Sequence, residues 1–248
     1  MKSFKSWFVR VTVSLFLIAM VSGCGIFSVS WIRNASRNDV VNVGDSIFAL
    51  SGKIHDNLQS WAGQTFRRYS KSGATITDGD SITPSVDMQY ATAKSDNSNI
   101  QTIFMDGGAN EILIPYILLF DPYNCNVNWW ESGLSSSCKS LINDIYVDAV
   151  NLMNQMGRDG VQNIIYLGYY HVKNGVFGST GLNQAVDYGD AKLALAVQNA
   201  TAVSNYRVFL DPRPYIVNSD IIIDGVHPNN SGSQKCASLI WAKLQPKL

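Results

Sequence analysis

Apolar residues along this chain follow two alternating rhythms. Short continuous runs at 39–43 (DVVNV), 101–105 (QTIFM), 162–168 (QNIIYLG) and 206–210 (YRVFL) read as strands buried on both faces. A weaker run at 66–69 reads as a fifth. Between them the spacing turns helical. Ile54, Leu58 and Trp61 stand at i, i+4 and i+7, and Leu141, Ile145, Ala149, Leu152 and Met156 form a stripe closed by Gly157 and Gly160. An Ala-, Leu- and Gln-rich stretch at 182–202 and a last segment at 231–244 also read as helices. Alternation at this spacing predicts an α/β fold, a parallel sheet covered by helices on both faces. The irregular stretches 74–84, 120–138 and 171–181 are long enough for functional loops.

Charge changes the picture at the N-terminus. The 248 residues carry 19 basic and 19 acidic side chains, and only 15% are charged, so no basic face for nucleic acid is expected. Lys2, Lys5 and Arg10 nevertheless cluster before the apolar run 11–21, with no acid in 1–23. That run is shorter than the roughly 20 residues of a membrane span and has the form of an export signal. Val21-Ser22-Gly23-Cys24 resembles the lipobox of bacterial lipoproteins. The resemblance implies cleavage before Cys24, acylation of that cysteine and a membrane contact through an N-terminal lipid anchor. An ordinary secretory signal and an uncleaved anchor are the alternatives, and each exports the chain. Gly25, rather than Asp, after the cysteine resembles the outer-membrane type of Gram-negative lipoproteins. The expected organisation is a signal at 1–23, a short tether at 24–38 and one domain at 39–248. Without residues 1–23 the chain keeps 16 basic against 19 acidic residues.

Export bears on the remaining cysteines. Cys125 and Cys138 flank a polar stretch containing Gly133 and four serines, which reads as a loop disulfide in an oxidising compartment. Closing a loop of about 14 residues contributes on the order of 3 kcal/mol. Cys236 lies in an apolar pattern with Leu239, Ile240 and Leu244 and reads as a buried free thiol. No CxxC or His/Cys cluster suggests a metal.

In open α/β sheets, sites form beyond the carboxyl ends of the strands. The first strand stops at Gly44-Asp45-Ser46, which places Ser46 near a helix N-terminus. There a hydroxyl meets free N–H groups that suit an oxyanion, or it simply caps the helix. Three histidines compete as its base. His55 falls inside the first helix and reads as a surface or packing residue; His171 follows the third strand as a minor candidate. His227 lies in Asp224-Gly225-Val226-His227-Pro228, where a turn lets the carboxylate hold one ring nitrogen and leaves the other free. Alternatively, the segment is a structural turn with a capping Asp. A further strand end, Asp106-Gly107-Gly108-Ala109-Asn110, offers glycines for close backbone approach and the Asn110 amide as an oxyanion donor or a helix cap.

Together these blocks resemble a known family. Gly44-Asp45-Ser46, Gly73, Gly108-Ala109-Asn110 and Asp224-Gly225-Val226-His227 stand in the order of the SGNH (GDSL-type) esterases and lipases, from about residue 39 to the C-terminus. The resemblance implies a three-layer α/β/α sandwich with a parallel sheet of about five strands. It implies Ser46 as nucleophile, His227 as base and Asp224 as its orienting acid. The oxyanion hole would be the N–H groups of Ser46 and Gly73 and the side-chain amide of Asn110, with no metal or cofactor. Gly63 and Gly79 lie close enough to compete with Gly73. Ile47 replaces the usual Leu, and Glu111 stands where the family has Asp.

The expected function is hydrolysis of a carboxylic ester, whether lipid, short acyl or acetylated glycan, by a monomer. Acyl transfer to sugars and a non-catalytic glycan-binding or structural envelope role are the alternatives on the same fold. Trp129 and Trp130, inside the cysteine-bounded loop, either contact substrate or pack the loop onto the body.

Overall fold

The computed structural model describes residues 30–51 and 53–248. The expected signal segment and Cys24 lie outside the described residues. Five strands form one sheet: β1 (Arg37–Val43), β2 (Phe66–Arg68), β3 (Thr102–Met105), β4 (Asn163–Leu167) and β5 (Tyr206–Leu210). Their order is β2-β1-β3-β4-β5, and every pairing is parallel. Seven α-helices are found among the described residues: α1 (Ser46–Ser51), α2 (Lys53–Ala62), α3 (Val86–Asp96), α4 (Asn110–Leu119), α5 (Ser136–Arg158), α6 (Asn183–Asn199) and α7 (Asn230–Leu244).

Alternate strand residues feed opposite cores, as the period of two requires. Val41, Val43, Ile103, Met105, Ile164 and Tyr166 face a cluster completed by Val86 and Tyr90 of α3, Ile145 and Leu152 of α5, and Leu193 of α6. Val40, Phe104, Ile165 and Leu167 face the other cluster, completed by Phe48 of α1, Ile54 and Leu58 of α2, and Ile240 and Leu244 of α7. The result is the α/β/α sandwich that the alternation of strand and helix implies, with helices on both faces of the sheet.

One element differs from the sequence reading. The helix α3 has no counterpart among the expected elements, because its buried stripe of Val86, Gln89, Tyr90 and Ala93 contains a glutamine. Ser46 itself opens the helical segment that follows β1.

The Cys125–Cys138 disulfide joins the loop after α4 to the first turn of α5, and Cys236 is a buried free thiol whose burial pushes its pKa up to about 12. Trp129 and Trp130 do not pack onto the body. They are 92% and 66% exposed and meet edge to face at 5.5 Å between centroids. The first described residues lie along the body, where Ile32 pairs with Arg68 and the Trp31 ring packs on Tyr69.

Chain order and sheet order together locate the site. From β1 the chain moves to the edge strand β2, then crosses back to β3 on the other side of β1. The reversal opens a crevice beyond the carboxyl ends of β1 and β3. Those ends are Gly44-Asp45-Ser46 and Asp106-Gly107-Gly108.

Candidate active site

The turn after β1 is built by close approach. A Cβ on Gly44 would lie 1.9 Å from Asp106 Oδ1, so only glycine lets the β3 turn come this near. Asp106 Oδ1 accepts from the Asp45 N–H at 2.6 Å, and Gln89 of α3 clasps Gly44 from the other side. The Gln89 amide accepts from Gly44 N–H at 2.7 Å and donates to Gly44 O at 3.0 Å. Capping of α1 falls to Asp45, whose Oδ1 accepts from the Ile47 N–H at 2.9 Å. Ser46 is therefore not the cap, and its hydroxyl is left out of that role.

Asp45 and Asp106 are fully buried carboxyls. Burial raises the pKa of both, and the charge of Asp45 raises Asp106 further. The Tyr169 hydroxyl, just past β4, donates to Asp45 Oδ2 at 2.6 Å and accepts from the Ala109 N–H at 3.4 Å. One side chain thus joins the turn carrying Ser46 to the block carrying Asn110.

Asn110 opens α4, and its side chain does not cap the helix: Nδ2 donates to Ala74 O at 2.9 Å. One amide hydrogen is held there, which fixes the plane of the group and leaves the second to point elsewhere. The segment after β2 is tied to the same place, since Lys71 N–H donates to Gly44 O at 3.0 Å. Gly73 lies between these two anchors with a φ of +80°, in the left-handed region. Gly63 instead follows α2 ahead of β2, and Gly79 packs against Ser85. Beside Asn110, Glu111 accepts from the Ile76 N–H at 2.6 Å, and burial raises its pKa to about 7.

The expected acid and base meet. Asp224 Oδ2 lies 2.6 Å from His227 Nδ1, while Oδ1 accepts from the N–H groups of Val226 and His227 at 2.9 Å each. Burial works to raise the Asp224 pKa, but the His227 bond and charge and the two amides outweigh it and hold it low. The turn requires Gly225, whose φ is +86° and whose Cβ would meet Lys173 O at 2.3 Å. Loop 171–181 holds this turn: Phe177 N–H donates to Asp224 O at 2.8 Å and Lys173 N–H to Gly225 O at 3.0 Å. The Tyr170 hydroxyl donates to Val226 O at 2.7 Å. His227 Nε2 is buried and has no hydrogen-bond partner among the described residues, so no bond to Ser46 is closed. Catalytic hydrogen bonds of this kind commonly tighten only around substrate.

The other histidines serve elsewhere. His171 Nε2 lies 2.8 Å from Asp187 Oδ1 in a half-exposed ion-pair cluster with Arg213. His55 is fully buried between Phe66 and Phe104, and burial beside Arg68 lowers its pKa to about 3. Among the described residues, no group of three or more His, Cys, Asp or Glu could hold a metal ion.

An apolar cavity of ≈80 Å³ opens at Ser46 and Asn110 and runs between α4, α5 and α6. Tyr169 and Val226 line the same space. Sequence reasoning did not find Tyr169, Tyr170, Asp106 or Gln89 as supports of the site. Asp106 directly follows β3, which was signal enough; Tyr169, Tyr170 and Gln89 gave no local signal.

No protein-family model matches the chain, and no curated protein is similar enough in sequence to match it. Solved structures do match. An alpha/beta hydrolase enzyme from the metagenome of Lake Arreo superposes with a TM-score of 0.56 at 15% identity, over 85% of this chain and 96% of that one. A carbohydrate acetylesterase family member from Sinorhizobium meliloti gives 0.53 at 14% identity, over 84% and 98%. A provisionally named GDSL-like lipase from Bacteroides ovatus gives 0.52 at 18% identity, over 84% of this chain and 52% of that one. At these identities the likeness is one of fold. The chain has the α/β/α architecture of the SGNH (GDSL-type) hydrolases, the class that its motif order resembles.

Proposed function

We propose that the chain is a serine esterase that hydrolyses carboxylic esters with Ser46, His227 and Asp224. The observation that carries this reading is the buried Asp224–His227 pair, 2.6 Å apart, with Nε2 of the imidazole unpartnered and with Val226, its neighbour in the chain, lining the same cavity as Ser46. The esterases among solved structures of this fold support it.

Asp224 keeps the Nδ1 proton in place, so Nε2 is the basic nitrogen. Ser46 Oγ attacks the ester carbonyl and its proton passes to His227 Nε2. The oxyanion that forms is held by the N–H groups of Ser46 and Gly73 and by Asn110 Nδ2. His227 then gives the proton to the departing alcohol, leaving an acyl group on Ser46 Oγ. Water attacks that acyl group, His227 takes and returns a proton once more, and the acid leaves. Replacing Ser46 by Ala is expected to abolish turnover of short acyl esters, read as initial rates on a p-nitrophenyl ester. Full activity of Ser46→Ala would overturn the assignment.

We infer also that the chain works outside the cytoplasm, anchored through Cys24 at the cell envelope, as a monomer. The Cys125–Cys138 disulfide and the apolar run behind Lys2, Lys5 and Arg10 support export. Metabolic labelling with a fatty-acid analogue tests the anchor: Cys24→Ala is expected to lose the label.

A further inference from the structure

The cavity beside Ser46 has walls of one kind. Ile112 and Leu113 of α4, Ile142 of α5, Leu182 ahead of α6, and Ala185 and Leu193 of α6 line it away from the mouth. The charged groups that reach it are engaged elsewhere. Asp190 accepts from the Tyr169 N–H at 3.0 Å, and the Lys192 ammonium lies over the Tyr146 and Tyr188 rings. A sugar hydroxyl placed among these side chains would lose its water and find no replacement partner. A hydrocarbon chain loses nothing there.

We propose that this cavity is the acyl pocket, and that it takes a straight acyl chain of about four carbons while the alcohol part of the ester stays outside. The proposal rests on the serine-esterase reading, because it places the acyl carbonyl between Ser46 and Asn110 at the mouth. Size follows from volume. An apolar cavity of about 150 Å³ is filled by the six carbons of benzene, or about 25 Å³ per carbon. The ≈80 Å³ here then holds about three carbons beyond the carbonyl, a butanoyl group. An acetyl group leaves most of the space unfilled, and an octanoyl chain overruns it. The wall is also stiff: Ile142, Leu182 and Ala185 pack with Cys125 and Cys138, so the disulfide stands directly behind the pocket.

The test is a panel of p-nitrophenyl acetate, butanoate and octanoate with the full chain, together with fluorophosphonate labelling of the same preparation. Burying a methylene is worth a factor of about four, so butanoate is expected to exceed acetate in kcat/KM by about fifteen-fold, with octanoate falling below butanoate. Ala185→Leu fills the pocket and is expected to lower the butanoate-to-acetate ratio by about fifteen-fold, as two buried methylenes are displaced. Leu182→Ala enlarges it and is expected to raise octanoate relative to butanoate, which keeps the test open if Ala185→Leu fails to fold. A labelled, active chain that prefers acetate, with ratios unmoved in the folded variants, overturns the pocket and leaves the esterase reading standing. A chain that takes no label and cleaves no ester overturns both.

Discussion

Asp224 uses its two oxygens differently. Oδ1 is saturated by the amides of Val226 and His227, which fixes the turn, and Oδ2 is left for the imidazole. Asn110 divides its amide in the same way, with one hydrogen on Ala74 O and, in the proposed mechanism, the other on the oxyanion. Asn110→Ala is therefore expected to lower kcat by about 10²–10³ with little change in KM, because its free hydrogen acts on the oxyanion rather than on the bound ester. Steady-state kinetics on a butanoate ester check it. His55 makes a different prediction. Its pKa is lowered to about 3 in the folded chain, so the ring stays neutral there while the unfolded chain takes up a proton below about 6.5. The stabilisation from this residue is full above that pH and is lost as pH falls towards 3. Between pH 8 and pH 5 the loss is about 2 kcal/mol. His55→Phe is expected to remove that part of the acid sensitivity, measured as urea unfolding at the two pH values. Glu111 and Asp190 act in the opposite sense. Their pKa values are raised to about 7, so they weaken the fold as pH rises from about 4 to 7, which makes the variant-minus-parent difference the quantity to read.

At the scale of elements, α3 exists to hold a turn. Its glutamine clasps both backbone groups of Gly44, the residue before Asp45-Ser46. Gln89→Leu leaves the buried Gly44 N–H unpaired, while Gly44 O keeps the Lys71 N–H, and is expected to cost about 1–3 kcal/mol. Ester turnover should fall with it, since the same clasp positions the Ser46 turn; the urea midpoint and kcat measured together check this. The loop staple is a second element-scale case. Replacing both Cys125 and Cys138 by Ser is expected to lower stability by up to about 3 kcal/mol, and reductant should lower the thermal midpoint of the parent in the same direction. These elements also mark how far the sequence could be read. β3 and β4 are buried throughout and appear as short apolar runs, and the buried part of β1, Val40 to Val43, is apolar but for Asn42. β2 is three residues with two arginines, and its only cue was position. Helix α3 was invisible because the residue that matters most in it is polar and buried for its hydrogen bonds. Ser46, Asn110, Asp224 and His227 were legible as short blocks at strand ends. Tyr169, which bridges Asp45 and Ala109, was not, because nothing local requires a tyrosine there; its partners come from β1 and β3.

For the whole molecule, topology does the gathering. The chain reverses between β1 and β3, and the residues around the crevice come from the ends of four separate segments. The exposed Trp129 and Trp130 are not among the residues that line the cavity. The central claim is that this gathering makes Ser46 a nucleophile. Mass spectrometry of the chain after treatment with a fluorophosphonate tests it most directly. One adduct is expected, on the peptide containing Ser46, lost in Ser46→Ala and strongly slowed in His227→Ala. An unlabelled chain, or an adduct on another serine with Ser46 intact, would contradict it.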